Sequence, residues 1–279
     1  MLCLNAIQSQ ARRVVQPYTW GEVVWHVWGD PANQSIAGAA LPPLVLVHGG
    51  SGSWTHWVRN VVHLAQYRPV WALDLPGFGD SSLPSGVSDA DGLTSYVAEI
   101  LDRTFEGLAV DVMGFSFGGM TAGLLAAERP QLIRQLILVG VPGLGLFGHE
   151  LPMRGMHPNM DQAAQRGVHR HNLHAMMLTH SQSITEEVID LQQENVARDR
   201  MRRRRIARTD VLAKVQTHWS CPVHGVWGAQ DALYKETLAE IPKTLPCLAS
   251  FTVVPDAGHW VMFEQAEAFH SVVDPLLKR

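Results

Sequence analysis

Leu108-Ala109-Val110-Asp111-Val112-Met113-Gly114-Phe115-Ser116-Phe117-Gly118-Gly119-Met120-Thr121-Ala122-Gly123-Leu124-Leu125-Ala126-Ala127-Glu128 decides the fold, because a serine stands between two glycines where one apolar run ends and another begins. Leu108 to Met113 reads as a short buried strand, and Phe117 to Glu128 as a helix of small residues that Arg129-Pro130 ends, since proline cannot continue the hydrogen-bond ladder. Gly114-Phe115-Ser116-Phe117-Gly118 is the G-x-S-x-G pattern of a sharp strand-to-helix turn that exposes a serine hydroxyl. Neighbours without side chains keep such a turn free of clashes. The pattern carries weight here through its setting of strand, turn and helix, not through its letters alone.

An exposed serine needs a base and an oriented acid, and both follow in the chain order Ser, Asp, His. Pro222 to Trp227 is a strand candidate, and Gly228-Ala229-Gln230-Asp231 places a carboxylate just beyond it. Ser250 to Val254 is β-branched and aromatic, and Pro255-Asp256-Ala257-Gly258-His259-Trp260 leaves it for a helical pattern from Val261 to Leu277. Ser116, Asp231 and His259 are thus expected at the carboxyl ends of strands, where open α/β sheets place their sites. Asp256 shares a loop with His259 but lies three residues before it, which makes it the weaker partner. Leu44-Val45-Leu46-Val47 followed by His48-Gly49-Gly50, before a helix starting near Ser53, supplies an oxyanion-binding loop. The expected donors are the amides of Phe117 and Gly50, with Ser51 next to them. His48 is expected to brace that loop, and Asp74 and Asp80 to hold the loop after the Val70 strand by accepting its amides. A P-loop lysine and G-x-G-x-x-G are both missing, so the glycine-rich loop is not read as a phosphate cradle.

His48-Gly49-Gly50, Asp74-Leu75-Pro76-Gly77-Phe78-Gly79-Asp80-Ser81, the Ser116 turn, Gly228 to Asp231 and Gly258-His259-Trp260 together resemble the α/β-hydrolases over nearly the whole chain. The resemblance implies an α/β fold: an eight-stranded, mostly parallel sheet with helices on both faces and a helical lid inserted after the sixth strand. Independently, apolar strands at Leu44, Val70, Leu108, Leu136, Val223 and Phe251 alternate with helical stretches, which by itself argues for a doubly wound sheet. The expected division is a core of residues 1–142 and 210–279 with a lid at 143–209.

Composition is globular: 279 residues, 46% hydrophobic, 17% charged and a net charge of -4, which gives no reason to expect nucleic acid. No apolar stretch reaches the roughly eighteen residues of a membrane span, and the first residues lack a signal-peptide pattern, so a cytoplasmic protein is expected. Cys3, Cys221 and Cys247 form no C-x-x-C pair and read as reduced thiols. A small-molecule substrate is expected, without cofactor, metal, nucleic acid or membrane; self-association into a homo-oligomer stays open.

The lid loses strand runs and gains Met, His, Gln and Arg. Pro142 to Gly148 suits a hinge or pocket wall, and Met153, Met156, Met160, Met176 and Met177 suit an adaptable apolar one. His169, His171, His174 and His180 lack the companion glutamate of a zinc motif and read as a solvated or rim helix. Arg202 to Arg205, flanked by Arg198, Arg200 and Arg208, reads as a solvated helix face, with one arginine reaching a substrate carboxylate as the sharper alternative. Ser51, Phe115 and Trp260 are candidate pocket residues; for Trp260 and Phe263, core packing is the plainer reading.

Acyl transfer through an acyl-serine is the chemistry this pattern predicts, with a small or medium carboxylic ester as substrate. A serine at the turn excludes the branches of the family that use an aspartate nucleophile. The lid segments Asn172 to Met177 and Ile184-Thr185-Glu186, with Asn195, are similar to hydrolases that cleave the carbon-carbon bond of ring-fission products. Those enzymes carry Asn where this chain has Phe115, and a lid arginine where it has Gln192, with Arg198 nearby. Gly114-Phe115-Ser116 also resembles the turn of cofactor-free haloperoxidase-like esterases. A small-molecule receptor on a retained hydrolase fold is the alternative from another class.

Overall fold

Parallel strands need crossovers long enough to hold a helix, so alternating strand and helix signals dictate a sheet covered on both faces. The computed structural model, which describes residues 4–29, 35–36, 39–146, 150–201 and 203–278, has this architecture. The strands of its main sheet are β1 (Arg12–Tyr18), β2 (Gly21–Trp28), β3 (Leu44–Val47), β4 (Val70–Leu73), β5 (Val110–Phe115), β6 (Ile133–Val139), β7 (Val223–Gly228) and β8 (Ser250–Val254). They form one eight-stranded sheet in the order β1-β2-β4-β3-β5-β6-β7-β8. β2 alone runs opposite to the other strands, and every pairing that does not involve it is parallel. The mostly parallel eight-stranded sheet expected from the sequence is therefore present. The β1–β2 hairpin stands outside the runs read as strands above, although Val23 to Trp28 is apolar apart from His26.

Each central strand is buried on both faces, which is why it reads as a continuous apolar run. Val45, Val47, Val112, Leu136 and Leu138 belong to one core, together with α1 (Ala90–Phe105) and α2 (Ser116–Glu128). Leu44, Leu46, Met113, Ile137 and Val139 belong to the other, with residues of the carboxyl-terminal helices. The alternation follows the two-residue period of a strand. β5 starts two residues later than the apolar run suggests. Glu106 and Gly107, both at positive φ, end α1 in a left-handed turn, and Leu108 N–H closes on Phe105 C=O, leaving that leucine exposed. The pattern from Val261 to Leu277 is broken at Gln265 into two helices.

At the amino end of β5, Asp111 is buried and accepts from Arg68 Nη1 and Arg134 Nη2, each at 2.5 Å. Arg68, equally buried, also donates to the carbonyls of Pro42 and Leu277. This ion pair joins β5, the β4 approach and the carboxyl terminus at the edge opposite Ser116.

Between β6 and β7 the described residues form no strand, only helical and extended segments, including α3 (Gln162–Asn172) and α4 (Glu186–Ala197). Phe147 and Gly148 of the expected hinge, Arg202 and Cys3 lie outside the described residues; Cys221 and Cys247 are free thiols. The insertion is attached closely to the core. Asn195 hydrogen-bonds Ser53 and Thr55, Arg200 donates to the carbonyls of Phe78, Gly79 and Ser81, and Arg198 pairs with Asp80. The described residues of the arginine run are not a helix face: residues 203–205, like 200–201 before them, form no helix or strand. No helix among the described residues is long and apolar enough to cross a membrane.

Buried histidines set an acid limit on stability. Burial lowers His26, His48 and the half-buried His270 from 6.5 to about 4, and holds His56 well below its ordinary 6.5. Between pH 6.5 and 4 the unfolded chain therefore takes up protons that the native state refuses, so stability is full above 6.5 and is lost as pH falls. Asp74, raised by burial to about 6, works in the opposite sense between 6 and 3.8 and offsets only part of the histidines' effect. The urea midpoint is expected to hold above pH 6.5 and fall steadily towards pH 4; a flat profile across that window is inconsistent with these four neutral histidines.

Candidate active site

Ser116 is the first residue of α2 and sits at φ +49°, a left-handed conformation that costs a serine energy and that its surroundings enforce. A β-carbon on Gly114 would lie 2.5 Å from Gly119 Cα, and one on Gly118 would lie 2.1 Å from the His48 carbonyl oxygen. Gly119 needs its missing side chain as much as the two motif glycines do, since a β-carbon there would lie 2.4 Å from the Gly114 oxygen. The strand-turn-helix passage thus closes on itself and on the His48 loop.

Asp231 and His259 arrive from the loops after β7 and β8. A β-carbon on Gly228 would fall 2.1 Å from the Gly258 oxygen, so the two loops touch backbone to backbone. His259 Nδ1–H donates to Asp231 Oδ2 at 2.9 Å, and Ser116 Oγ–H donates to His259 Nε2 at 2.9 Å. Asp231 Oδ1 accepts from the Leu233 amide, which fixes the carboxylate plane. Both Asp231 and His259 are buried. Asp256 instead pairs with His180 and Gln265 and makes no bond to His259. Gly140, at φ +55°, lies beneath this chain: a β-carbon there would be 3.2 Å from His259 Nδ1 and 3.3 Å from Asp231 Oδ2. Gly140→Ala is expected to lower kcat by roughly 10- to 100-fold through displacement of the imidazole, with KM little changed. Steady-state kinetics with a chromogenic ester measures it, and unchanged kcat would mean that the loops yield freely.

The loop facing Ser116 is held from behind. His48 Nε2 accepts from the Leu75 amide and its Nδ1–H donates to the Gly49 carbonyl, as bracing requires. His56 Nδ1 accepts from the Gly49 amide at 3.1 Å, which leaves Gly50 as the next amide of the loop. The His56 carbonyl in turn accepts from Trp260 Nε1. Asp74 accepts from the Trp54 and Asp80 amides, as expected of a loop-holding carboxylate, whereas Asp80 bonds the side chains of Arg13 and Arg198.

A cavity of about 860 Å³ opens over Ser116, lined by Gly50, Ser51, Phe115, Phe117 and His259 from the core and by Met153, Met176, Met177 and Arg204 from the insertion. Ser51, at φ +50°, donates its hydroxyl to Asp199 Oδ2 at 2.7 Å and accepts from Arg204 Nη2, while Arg204 is also paired with Asp199. Trp260 is a correction to the pocket reading: it is fully buried, stacked on Phe263 and bonded to His56, so it braces the site from the core. Met156 and Met160 do not reach the cavity. Gln192 and Arg198 do not line it either; the insertion's arginines that do are Arg204 and Arg208. The insertion's histidines do not converge on one another: His171 donates to the Pro152 carbonyl and His180 pairs with Asp256. His26, Asp74 and Asp80 are the one group of clustered donor atoms among the described residues, and the carboxylates there already serve loop amides and arginines. His56 and Gly140 escaped the sequence reading; their roles rest on contacts between distant loops, which no local spacing encodes.

A family model described as the alpha/beta hydrolase family matches residues 44–272. The chain belongs to that family. It is 29% identical, over 88% of its own length and 65% of the other's, to the dihydrolipoyllysine-residue acetyltransferase component of the acetoin cleaving system of Pseudomonas putida. It is 33% identical to a 2-hydroxy-6-oxo-2,4-heptadienoate hydrolase of Pseudomonas putida, over 49% of this chain and 53% of that enzyme. The chain thus spans less than two thirds of the length of these curated relatives. Among solved structures, a membrane phospholipase A described as a bacterial virulence factor superposes with a TM-score of 0.77 at 21% identity, covering 99% of this chain and 90% of that one.

Proposed function

We propose that the protein is a serine hydrolase that cleaves small or medium carboxylic esters through an acyl-enzyme. The observation that carries this reading is the hydrogen-bonded series Asp231, His259, Ser116, with both bonds at 2.9 Å, ending in a hydroxyl at the floor of the cavity. His259 Nε2 takes the proton as Ser116 Oγ attacks the carbonyl carbon, and Asp231 holds the tautomer and stabilises the imidazolium. The amides of Phe117 and Gly50 receive the developing oxyanion, Phe117 with the added field of the α2 amino terminus. His259 then protonates the departing alkoxide and activates water for attack on the acyl-serine. The insertion acts as a lid that supplies the acyl pocket through Met153, Met176 and Met177, whose flexible thioethers suit acyl chains of differing shape.

The match to the heptadienoate hydrolase favours a second reading, carbon-carbon bond hydrolysis, for which Arg204 and Arg208 in place of Gln192 put cationic side chains on the cavity wall. A panel of p-nitrophenyl esters of increasing acyl length, run beside one ring-fission dienoate, separates the two. Turnover of esters with a chain-length optimum supports the first, dienoate turnover with poor ester rates supports the second, and saturable ligand binding without turnover of either overturns both.

A further inference from the structure

Five residues beyond His259 stands a carboxylate that the proposed mechanism leaves unused. Glu264 ends the short helix Val261–Glu264, and its side chain turns back into the protein, where it is largely buried. Three backbone amides converge on it. Oε2 accepts from Gly258 N–H at 2.7 Å and from Thr179 N–H at 3.1 Å, and Oε1 accepts from His180 N–H at 2.7 Å. Gly258 immediately precedes His259, whereas Thr179 and His180 belong to the insertion and follow the cavity-lining Met176 and Met177. A fourth bond crosses the same joint, from Trp260 N–H to the Met177 carbonyl at 2.8 Å. The backbone is therefore pinned on both sides of His259, by Glu264 before it and by the insertion after it. The fit is tight: a β-carbon on Gly258 would lie 2.9 Å from Thr179 Oγ1, 3.0 Å from the Met177 oxygen and 3.1 Å from Glu264 Oε2.

We propose that Glu264 is a positioning residue whose carboxylate, by clasping the Gly258 amide together with the Thr179 and His180 amides, makes the alignment of His259 on Ser116 depend on the seating of the insertion. The inference rests on the serine-hydrolase reading. A carboxylate suits the task because both oxygens are acceptors and hydrogen bonds to an ionised group are the stronger kind. An amide of the same size has one acceptor and turns a donor against at least one of the three N–H groups.

Glu264→Gln and Glu264→Asp test this, with kcat and KM measured for an ester that the wild type turns over and, beside them, the second-order rate of Ser116 labelling by a fluorophosphonate, which requires an activated serine. Thermal melting reports the folded fraction. The expected result for Glu264→Gln, folded at the assay temperature, is a loss of roughly 10- to 100-fold in kcat, a matching loss in labelling rate and a nearly unchanged KM. Glu264→Asp keeps the charge but withdraws it by one methylene and should show the same split at smaller size; it stands in if the glutamine variant does not fold. Unchanged kcat and labelling in a folded variant, or a fall only in proportion to the folded fraction, overturns the proposal. Wild-type protein that neither turns over esters nor takes the label, or a Ser116→Ala variant labelled as fast as wild type, would instead sink the hydrolase reading itself.

Discussion

Ser116→Ala is expected to lower kcat/KM for p-nitrophenyl esters by about 10⁴- to 10⁶-fold while leaving the melting temperature essentially where it was. The size follows from what the substitution removes. Without Oγ no acyl-enzyme forms, and the remaining catalysis is water attacking an ester held against the Phe117 and Gly50 amides. Stability is spared because alanine meets the same left-handed strain at φ +49° and loses one hydrogen bond, to His259. His259→Ala should fall into the same range. The double variant should be no slower than the worse single one, because the two side chains act as a unit. A Ser116→Ala protein that hydrolyses esters at a tenth of the wild-type rate would remove the nucleophile from the mechanism, whatever its hydrogen bonds.

Asp111→Ala is expected to destabilise the fold by about 3–5 kcal/mol, which for a chain of this size lowers the melting temperature by roughly 6–20 °C. Asp111 and Arg68 are both 1% exposed at their side chains, so the substitution leaves a guanidinium buried with only the Pro42 and Leu277 carbonyls to compensate it. Arg134→Ala touches the same carboxylate but is 38% exposed at its side chain, and should cost about 1 kcal/mol or less. Because Asp111 lies at the far end of β5 from Ser116, Asp111→Ala protein that remains folded should keep its kcat. Chemical denaturation of the three proteins measures the ordering; a small loss for Asp111→Ala would mean that water or rearrangement satisfies Arg68.

The parts of this molecule that were legible in its sequence are those whose geometry is local. A strand, a glycine-flanked serine and a small-residue helix are adjacent in the chain, and their close contacts reappear as the clashes that β-carbons on Gly114, Gly118 and Gly119 would make. Ser116, Asp231 and His259 could be placed because each follows a strand signal, and a parallel sheet brings the ends of its strands together. Trp260 and the arginine run failed for the converse reason. Whether an aromatic beside His259 faces a cavity or the core depends on His56 and Phe263 packing against it, and whether four arginines lie on a helix depends on Gly77 to Ser81 offering carbonyls to Arg200. The β1–β2 hairpin was passed over although β2 carries a strand signal, since its partner β1 is mostly exposed and alternates only weakly.

The seating of the insertion bears on how such proteins can diversify. Asn195 on Ser53 and Thr55, Asp199 on Ser51 and Arg200 on the loop from Phe78 to Ser81 mean that the segment shaping the cavity is keyed to the same backbone that presents Gly50. A chimera that imports the insertion of a relative without the matching residues at 51, 53 and 55 would inherit a new acyl pocket over a slackened oxyanion loop, gaining affinity for its substrates while losing turnover. Transplants that carry both segments together are the ones that should exchange specificity at full speed.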